Sequence, residues 1–227
     1  MSLIFALDSS GMTASVRVEQ NDTCLYEELL DEGLTHSETL LCLAERAFDR
    51  CRIRPEHVSA YAVTAGPGSF TGLRIGLSLV KGLAFPFSTP VIPVSTLEAM
   101  ALATGERGYL ISAINARRNE VYWAAFHRGE EMKRLHAEVV TPAEEVAAFL
   151  KKLDKPVIMV GDGAKLCYTN DDYSPKVSLF QSQPVLARGA ALLAKPALKG
   201  GALPTAEQAA PVYLRLSQAE RERLGRI

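Results

Sequence analysis

The first candidate for chemistry is a carboxylate at the end of an apolar run. Asp8 follows Leu3–Leu7 and precedes Ser9-Ser10-Gly11. An aspartate in such a place could orient a magnesium-bound water beside a phosphate, although an aspartate in a hairpin turn more often has a structural role. A later apolar run, Val157–Val160, ends in Gly161-Asp162-Gly163, which could face an adenosine. Asp8, Gly161 and Gly163 are therefore the candidates for a cofactor site.

A glycine-rich turn joins another apolar strand, Val58–Thr64, to a helix. Its sequence is Gly66-Pro67-Gly68-Ser69-Phe70-Thr71-Gly72-Leu73-Arg74. Backbone amides at such a turn could hold a phosphate, but the sequence matches neither the P-loop nor the dinucleotide fingerprint. We favour a tight turn in which Ser69 or Thr71 caps the helix. Arg74 opposes the helix dipole, so we expect it to reach towards an acidic partner.

Signatures of catalysis and of metal binding are missing elsewhere. None of the four histidines stands in H-E-x-x-H, and no histidine–cysteine cluster has zinc spacing. His36-Ser37-Glu38 begins the pattern H-x-E-x-H, but Leu40 replaces the second histidine. Ser69 stands outside G-x-S-x-G, so a nucleophile elbow is not supported. We therefore predict no catalytic residue, no metal and no cofactor, and we find no nucleophile–base pair for a protease.

A faint internal repeat indicates the architecture. Leu3–Asp8 aligns with Leu110–Asn115, and in each half the apolar strand turns and resumes as an alternating strand. Strands that are apolar almost throughout and alternate with helices indicate a sheet covered on both faces. We predict an α/β protein of two related lobes, each a mixed sheet with helices, facing each other across a cleft. This arrangement resembles the two-lobed actin-like ATPase (ASKHA, ribonuclease H-like) fold, and we expect an N-terminal lobe at 1–105 and a C-terminal lobe at 106–227.

Helix signals fill in the lobes. Capping boxes at Thr35 and Ser95 predict helices from His36 to about Arg50 and over 96–104. Thr141 followed by Pro142 at the first helical position predicts a helix over 142–152. An alanine-rich helix near 185–198 is expected to close the second half. We expect the tail from about residue 212 to pack back on the N-terminal lobe.

The second half argues against ATP hydrolysis. A nucleotide between two such lobes needs a second phosphate turn in which glycine lets the backbone approach closely. The corresponding turn, Asn115-Ala116-Arg117-Arg118-Asn119-Glu120, has no glycine, so side chains would fill the phosphate space. A stand-alone ATP-dependent small-molecule kinase or ATPase is the alternative hypothesis, based on the two-lobed pattern and Asp8.

The helix after the glycine-rich turn indicates a partner. Residues 73–84 carry only Arg74 and Lys81 as charges, and apolar residues occur around the whole circumference. Such a helix must be covered on both sides, either inside its own lobe or by another subunit. The small residues Gly72, Gly76 and Ser78 would let another helix approach. We favour an interface, because soluble monomers rarely expose an apolar patch of several hundred Å².

The overall composition limits the class of partner and the cellular compartment. The formal net charge of −1 does not indicate a basic nucleic-acid-binding face, so we do not expect RNA or DNA as the sole partner. The four cysteines contain no C-x-x-C pair and indicate free thiols in a reducing compartment. No segment is apolar enough to span a membrane. We expect a cytoplasmic protein.

Several motifs together resemble the bacterial TsaB (YeaZ) family. They are the stretch from Gly66 to Gly76, Leu7-Asp8-Ser9-Ser10, Ala116-Arg117-Arg118-x-Glu120-Val121-Tyr122-Trp123, Gly161-Asp162-Gly163 and Pro211-Val212-Tyr213-Leu214-Arg215. The resemblance covers essentially the whole chain in order. Asn115 departs from it, because the family commonly has aspartate there.

The resemblance implies a non-catalytic subunit. TsaB-like proteins are similar to the catalytic subunit TsaD but lack its H-x-E-x-H motif. With TsaD and the ATPase TsaE they support transfer of a threonylcarbamoyl group to the adenosine at position 37 of certain tRNAs. The resemblance implies TsaD-like and TsaE-like partners, a homodimer when free, and tRNA contact only through the complex. The helices from His36 and Leu73 are expected at the interface, through Leu40, Leu43, Ala44, Ala47, Leu73, Arg74, Gly76, Leu79, Val80 and Leu83.

Overall fold

Two five-stranded mixed sheets with the same strand order carry the fold. In the computed structural model the described residues are 2–31, 33, 35–153, 155–167, 176–200, 203–215 and 223. The first sheet has the order β3-β2-β1-β4-β5 and the second β8-β7-β6-β9-β10. In both sheets the first strand pairs antiparallel with the next strand and parallel with the fourth. The predicted two-lobed α/β architecture is confirmed.

The strands and helices have the following bounds. The first sheet contains β1 (Leu3–Asp8), β2 (Ala14–Gln20), β3 (Thr23–Leu30), β4 (Ala60–Gly66) and β5 (Val91–Ser95). The second contains β6 (Gly108–Arg117), β7 (Glu120–Arg128), β8 (Met132–Pro142), β9 (Val157–Val160) and β10 (Val177–Leu179). The helices are α1 (His36–Cys51), α2 (Phe70–Ala84), α3 (Thr96–Ala103), α4 (Ala143–Lys152), α5 (Ala164–Cys167) and α6 (Leu186–Gly200).

Strand β1 is apolar from Leu3 to Leu7 because helices cover both faces of its sheet. Phe5 and Leu7 alternate onto one face, where α1 and α2 complete a cluster with them. Ile4 and Ala6 point to the other face and pack against the alanines of α6. Side chains on successive strand residues point to opposite faces, so a run without polar residues is what two covered faces require.

Helix α6 belongs to the first sheet, not to the second half that we expected it to close. Its alanines fill a cluster with β1, β4 and β5. Ion pairs add to this: Arg188 binds Glu27 on β3, and Lys195 binds Glu19 on β2. The small alanine side chains let the helix lie close to the sheet. The N-terminal lobe therefore includes residues far beyond 105.

Residues 203–215, which we call the strap, run over the first lobe without regular secondary structure. The strap begins beside β5, where the Val91 amide donates to the Pro204 carbonyl at 3.1 Å. It continues along α2, where Ala209 is fully buried in the core cluster. Most of the tail beyond it, residues 216–222 and 224–227, lies outside the described residues. The strap covers one flank of α2 with the chain's own residues.

One predicted helix start is wrong. Helix α4 begins at Ala143 with Pro142 as its N-cap residue, and not with Thr141 capping a proline at the first helical position. The Thr141 hydroxyl instead accepts the indole N–H of Trp123 at 3.0 Å. Satisfying the buried indole competes with capping for the same oxygen. By contrast, Ser69 and Ser95 do cap α2 and α3, accepting the amides of Gly72 and Glu98.

Two further expectations can be compared with the structure. No helix among the described residues has the length and apolarity needed to cross a membrane. All four cysteines are free thiols. Burial raises the pKa of the Cys167 thiol to about 12, so this sulfur is unreactive at neutral pH.

Candidate functional site

Asp8 ends β1 in a closed ring of hydrogen bonds. Its Oδ1 atom accepts the Ser10 amide at 3.1 Å, the Ser10 hydroxyl at 2.6 Å and the Thr64 hydroxyl at 2.6 Å. The residue is 2% exposed. Burial raises the pKa of Asp8 above its ordinary value of 3.8, although the hydrogen bonds from Ser10 and Thr64 act in the opposite direction. The geometry fits a structural carboxyl group that joins β1 to β4.

This environment predicts how Asp8→Asn will behave. The amide oxygen of asparagine can accept the same three hydrogen bonds without placing a charge in the interior. A raised pKa means that the stability due to Asp8 is lost as pH rises from about 4 through the folded-state pKa. We therefore expect the melting temperature of Asp8→Asn, relative to the unmodified protein, to rise as pH increases from about 4 to 7.

A control of opposite sign is available on the surface. Lys195 lowers the pKa of Asp22, so Asp22→Asn should lose relative stability over a rising pH series. Thermal melting at several pH values checks both variants. If Asp8→Asn were less stable than the unmodified protein at pH 7, the buried carboxyl group would be a stabilised anion and our assignment would be wrong.

The glycine-rich turn packs against the Asp8–Ser10 corner instead of enclosing an open anion site. The Ser69 amide donates to the Ser10 carbonyl at 2.7 Å. A Cβ atom on Gly72 would lie 2.1 Å from the Ser9 carbonyl oxygen, and one on Gly76 would lie 2.1 Å from the Ser9 hydroxyl oxygen. These glycines therefore let α2 approach the first hairpin. Ser69, one of the two caps that we considered, is the residue that caps α2.

Gly161 and Gly163 serve packing in the second lobe. A Cβ atom on Gly161 would lie 2.2 Å from the Ala113 carbonyl oxygen, and one on Gly163 would lie 2.8 Å from the Ile114 carbonyl carbon. The Asp162 carboxylate between them accepts the Asn115 amide at 3.0 Å. The turn thus fastens onto the end of β6. The close contacts give both glycines a structural reason, and their role at a cofactor stays a prediction.

The tip of the β6–β7 hairpin is held in an unusual backbone conformation. Arg117, Arg118 and Asn119 have φ angles of 64°, 57° and 60°. The left-handed region costs a non-glycine residue roughly 1–2 kcal/mol. Side chains brace the tip: the Asn115 oxygen accepts the Arg117 amide at 2.8 Å, and Asn119 donates to Glu144 at 2.6 Å. Both arginine side chains remain exposed.

The strap crosses the cleft between this hairpin and the glycine-rich turn. On the first lobe the Val212 amide donates to the Ala65 carbonyl at 2.7 Å, and Tyr213 stacks on Phe70 with ring centroids 4.5 Å apart. On the second lobe Arg215 pairs with Glu120 at 2.7 Å and donates to the Ala116 carbonyl. The chain's own segment thus occupies the space between the two turns, where we expected side chains of the hairpin.

Sequence reasoning found only part of this arrangement. We expected the tail from about residue 212 to pack on the N-terminal lobe, but we did not expect Arg215 to bind the hairpin of the second lobe. Nothing local specifies that the strap will contact Ala65 on one lobe and Glu120 on the other, both distant in the chain.

Seven of the ten expected interface residues lie inside the lobe. The structure differs from the expectation because the apolar faces of α1 and α2 pack on the first sheet. Gly76 is buried against Ser9 and so supports the fold. These seven residues position the surface but do not form it: Leu40, Leu43, Ala44, Ala47, Leu73, Gly76 and Val80.

A strip along α2 remains exposed. Thr71, Ser78 and Gly82 recur at helical spacing on the outer side, and we call them the exposed strip of α2. Arg74 is also exposed, but its hydrogen bond to Tyr213 holds it towards the strap. Two expected interface residues, Leu79 and Leu83, flank it half-buried. The strip leads to Phe85, which is 69% exposed at the end of the helix. Small side chains with an apolar margin would let a partner helix approach closely.

Arg74 makes its described contacts within the chain. Its Nε atom donates to the Tyr213 hydroxyl at 2.8 Å, and its guanidinium carbon lies 5.6 Å from the centre of that ring. The His36 Nε2 atom lies 2.8 Å from the Gly11 carbonyl oxygen, and Leu40, which replaces the second histidine of the H-x-E-x-H pattern, faces the core. Among the described residues no group of three metal-binding side chains comes together.

Comparison with known proteins gives a consistent result. A family model described as TsaD, tRNA N6-adenosine threonylcarbamoyltransferase, matches residues 33–176. The chain is 32% identical over 169 residues to the tRNA threonylcarbamoyladenosine biosynthesis protein TsaB of Bacillus subtilis, covering 72% of each chain. The structure of YeaZ from Pseudomonas aeruginosa matches with a TM-score of 0.81 at 32% identity, covering 94% of this chain and 100% of that one.

A more distant match concerns the fold alone. The ROK hexokinase of Thermus thermophilus superposes with a TM-score of 0.51 at 14% identity, covering 87% of this chain and 99% of the hexokinase. At that identity the similarity extends to the two-lobed arrangement and not to activity.

Proposed function

The chain belongs to the TsaB (YeaZ) family of tRNA threonylcarbamoyladenosine biosynthesis proteins, and we propose that it is a non-catalytic subunit of the modifying complex. In this proposal it binds and supports a TsaD-like catalytic subunit in the cytoplasm, together with a TsaE-like ATPase. The complex modifies the adenosine at position 37 of its tRNA. The free protein pairs with a second copy of itself through the same surface.

The observation that carries the proposal is the exposed strip of α2. Thr71, Ser78 and Gly82 present little side-chain bulk, while Leu79 and Leu83 offer apolar area on one margin. A helix whose small residues face outward lets a second helix approach closely and bury that margin. On α1, the neighbouring helix, Leu41 is 51% exposed and could extend the same apolar contact.

The arrangement of side chains in the cleft supports a non-catalytic role. Asp8 is sequestered by Ser10 and Thr64 and does not face the cleft as a free carboxylate. The strap lies between the glycine-rich turn and the β6–β7 hairpin. A triphosphate would have to displace this segment and would then meet a hairpin turn without glycine.

The alternative function, a small-molecule kinase or ATPase, makes an opposite prediction. Calorimetry with Mg-ATP should detect no micromolar binding to the isolated chain if it is an accessory subunit. Micromolar binding together with turnover that Asp8→Asn abolishes would favour the enzyme. Co-elution with a TsaD-like subunit tests the proposal itself, and failure to co-elute at micromolar concentrations of both proteins would contradict it.

A further inference from the structure

Three exposed arginines border the cleft without a carboxylate partner. Arg74 lies on the first lobe, and Arg117 and Arg118 lie at the hairpin tip of the second; we call them the arginine rim. Within the part of the chain that the structure describes, none of the three forms an ion pair. The nearby Arg215, in contrast, is neutralised by Glu120 at 2.7 Å. Among the described residues, the charge of these three arginines is therefore not neutralised by a direct ion pair.

The chain holds the hairpin side of the rim rigidly. Three consecutive residues, Arg117 to Asn119, adopt the left-handed conformation. The side chains of Asn115 and Asp162 accept backbone amides there, and Asn119 donates to Glu144, so these contacts fix the hairpin backbone. A strained conformation braced in this manner is typical of functional positions. Here its effect is to present two adjacent guanidinium groups to solvent.

The strap connects the two sides of the rim and adds an aromatic surface. Tyr213 is 37% exposed and stacks on Phe70, and its hydroxyl oxygen accepts a hydrogen bond from Arg74 Nε. Two residues later Arg215 binds the Ala116 carbonyl beside the hairpin tip. An extended chain covers about 7 Å over two residues, so the two sides of the rim lie within reach of one ligand a few nucleotides long.

We propose that the arginine rim contacts the phosphate backbone of the RNA on which the complex acts, an inference that rests on the proposed function. Guanidinium groups bind phosphate oxygens in a bidentate manner. The exposed part of the Tyr213 ring, beside Arg74, offers an aromatic contact of the kind that unpaired bases make. This aromatic component favours RNA over an acidic protein surface. Three cations are too few for tight binding by the free chain, so the contact adds to those of the partner subunit.

The test compares RNA binding by the unmodified complex with binding by a complex that carries Arg117→Ala/Arg118→Ala. Fluorescence anisotropy with an unmodified tRNA transcript is recorded between about 50 and 200 mM salt. We expect the double variant to bind RNA about tenfold more weakly at the lowest salt, with a salt dependence reduced by one to two charges, roughly as two lost phosphate contacts require. Arg117→Lys/Arg118→Lys should keep most of the affinity, because lysine preserves the charge.

The control removes the same charge elsewhere. The control variant is Arg50→Ala/Arg52→Ala. Both residues are at the C-terminal end of α1, about 20 Å along the helix from the N-terminus that contacts the first hairpin. This variant should leave RNA affinity unchanged. The proposal is overturned if the rim variant binds RNA as tightly as the unmodified protein. It is also overturned if the variant loses co-elution with the TsaD-like subunit, because the arginines would then bind an acidic protein surface.

A separate measurement distinguishes failure of the proposed RNA contact from failure of the proposed function. The same titrations are made with the free chain at high concentration, where even weak phosphate contacts give a salt-dependent signal. Failure of the unmodified chain to co-elute with the TsaD-like subunit counts against the proposed function. In that event the difference between the free rim variant and the free unmodified chain still decides whether the arginine rim binds RNA.

Discussion

Ser78→Arg is expected to weaken association with a TsaD-like subunit by more than about 30-fold, which corresponds to roughly 2 kcal/mol. Ser78 lies in the middle of the exposed strip of α2, where small side chains permit close helix packing. A guanidinium group there would hold the partner helix away or become buried without a counter-charge, and either effect is costly. The dissociation constant can be measured by calorimetry or by interferometry.

The fold should survive this substitution, because Ser78 is exposed and faces away from the core of its lobe. Ser178→Arg is the matched control, since Ser178 is an exposed serine on β10, an edge strand of the second sheet. It should bind the partner normally. Equal affinity for Ser78→Arg and Ser178→Arg, with both proteins folded, would show that the exposed strip of α2 is not the interface.

Gly72→Ala is expected to destabilise the fold by about 2–3 kcal/mol, in the range found for overpacked sites. The added methyl group would lie 2.1 Å from the Ser9 carbonyl oxygen, which is backbone and cannot rotate away. Helix α2 would have to move off the first hairpin and weaken the ring of hydrogen bonds around Asp8. For a chain of this size the melting temperature should fall by roughly 2–4 °C per kcal/mol.

Gly82→Ala provides the control within the same helix. Nothing lies within 4 Å of the Cβ position of Gly82, so the methyl group meets open space. Alanine has a higher helix propensity than glycine by about 0.8–1.0 kcal/mol, and the variant should be as stable as the unmodified protein or more so. If the two variants melted at the same temperature, the close contact between α2 and the first hairpin would not be a constraint on the fold.

The architecture was predictable because it depends on patterns that repeat along the chain. Leu3–Asp8 and Leu110–Asn115 have the same apolar pattern, and β1 and β6 have the same position in their sheets. The start of α3 followed from Ser95, and that of α2 from Ser69, one of two candidate caps, because a cap depends on residues within one helical turn. Local information was sufficient for these elements.

The candidate site was less predictable because its contacts join distant parts of the chain. Helix α2 is apolar around its circumference, and the sequence does not show that the strap covers one flank while a sheet covers the other. Leu73 and Val80 therefore looked equivalent to Leu79 and Leu83, although only the latter pair reaches the surface. Gly76 likewise looked like a place for a partner helix, whereas Ser9 occupies that space.

The assignment of α6 failed for a related reason. Its alanine-rich sequence specifies a helix with one covered face but does not specify which sheet provides the cover. The ion pairs of Arg188 with Glu27 and of Lys195 with Glu19 bridge more than 150 residues of chain. Their partners are ordinary charged residues in sequence, and only the fold brings them together.

The most direct test of the account is reconstitution of tRNA modification with and without this chain. An unmodified tRNA transcript is incubated with the TsaD-like and TsaE-like proteins and a threonylcarbamoyl donor, and modified adenosine is measured by mass spectrometry. We predict modification with the unmodified chain and with Asp8→Asn, and little or none with Ser78→Arg or without the chain. Full modification without the chain, or its loss in Asp8→Asn with partner binding intact, would contradict a role as a non-catalytic binding subunit.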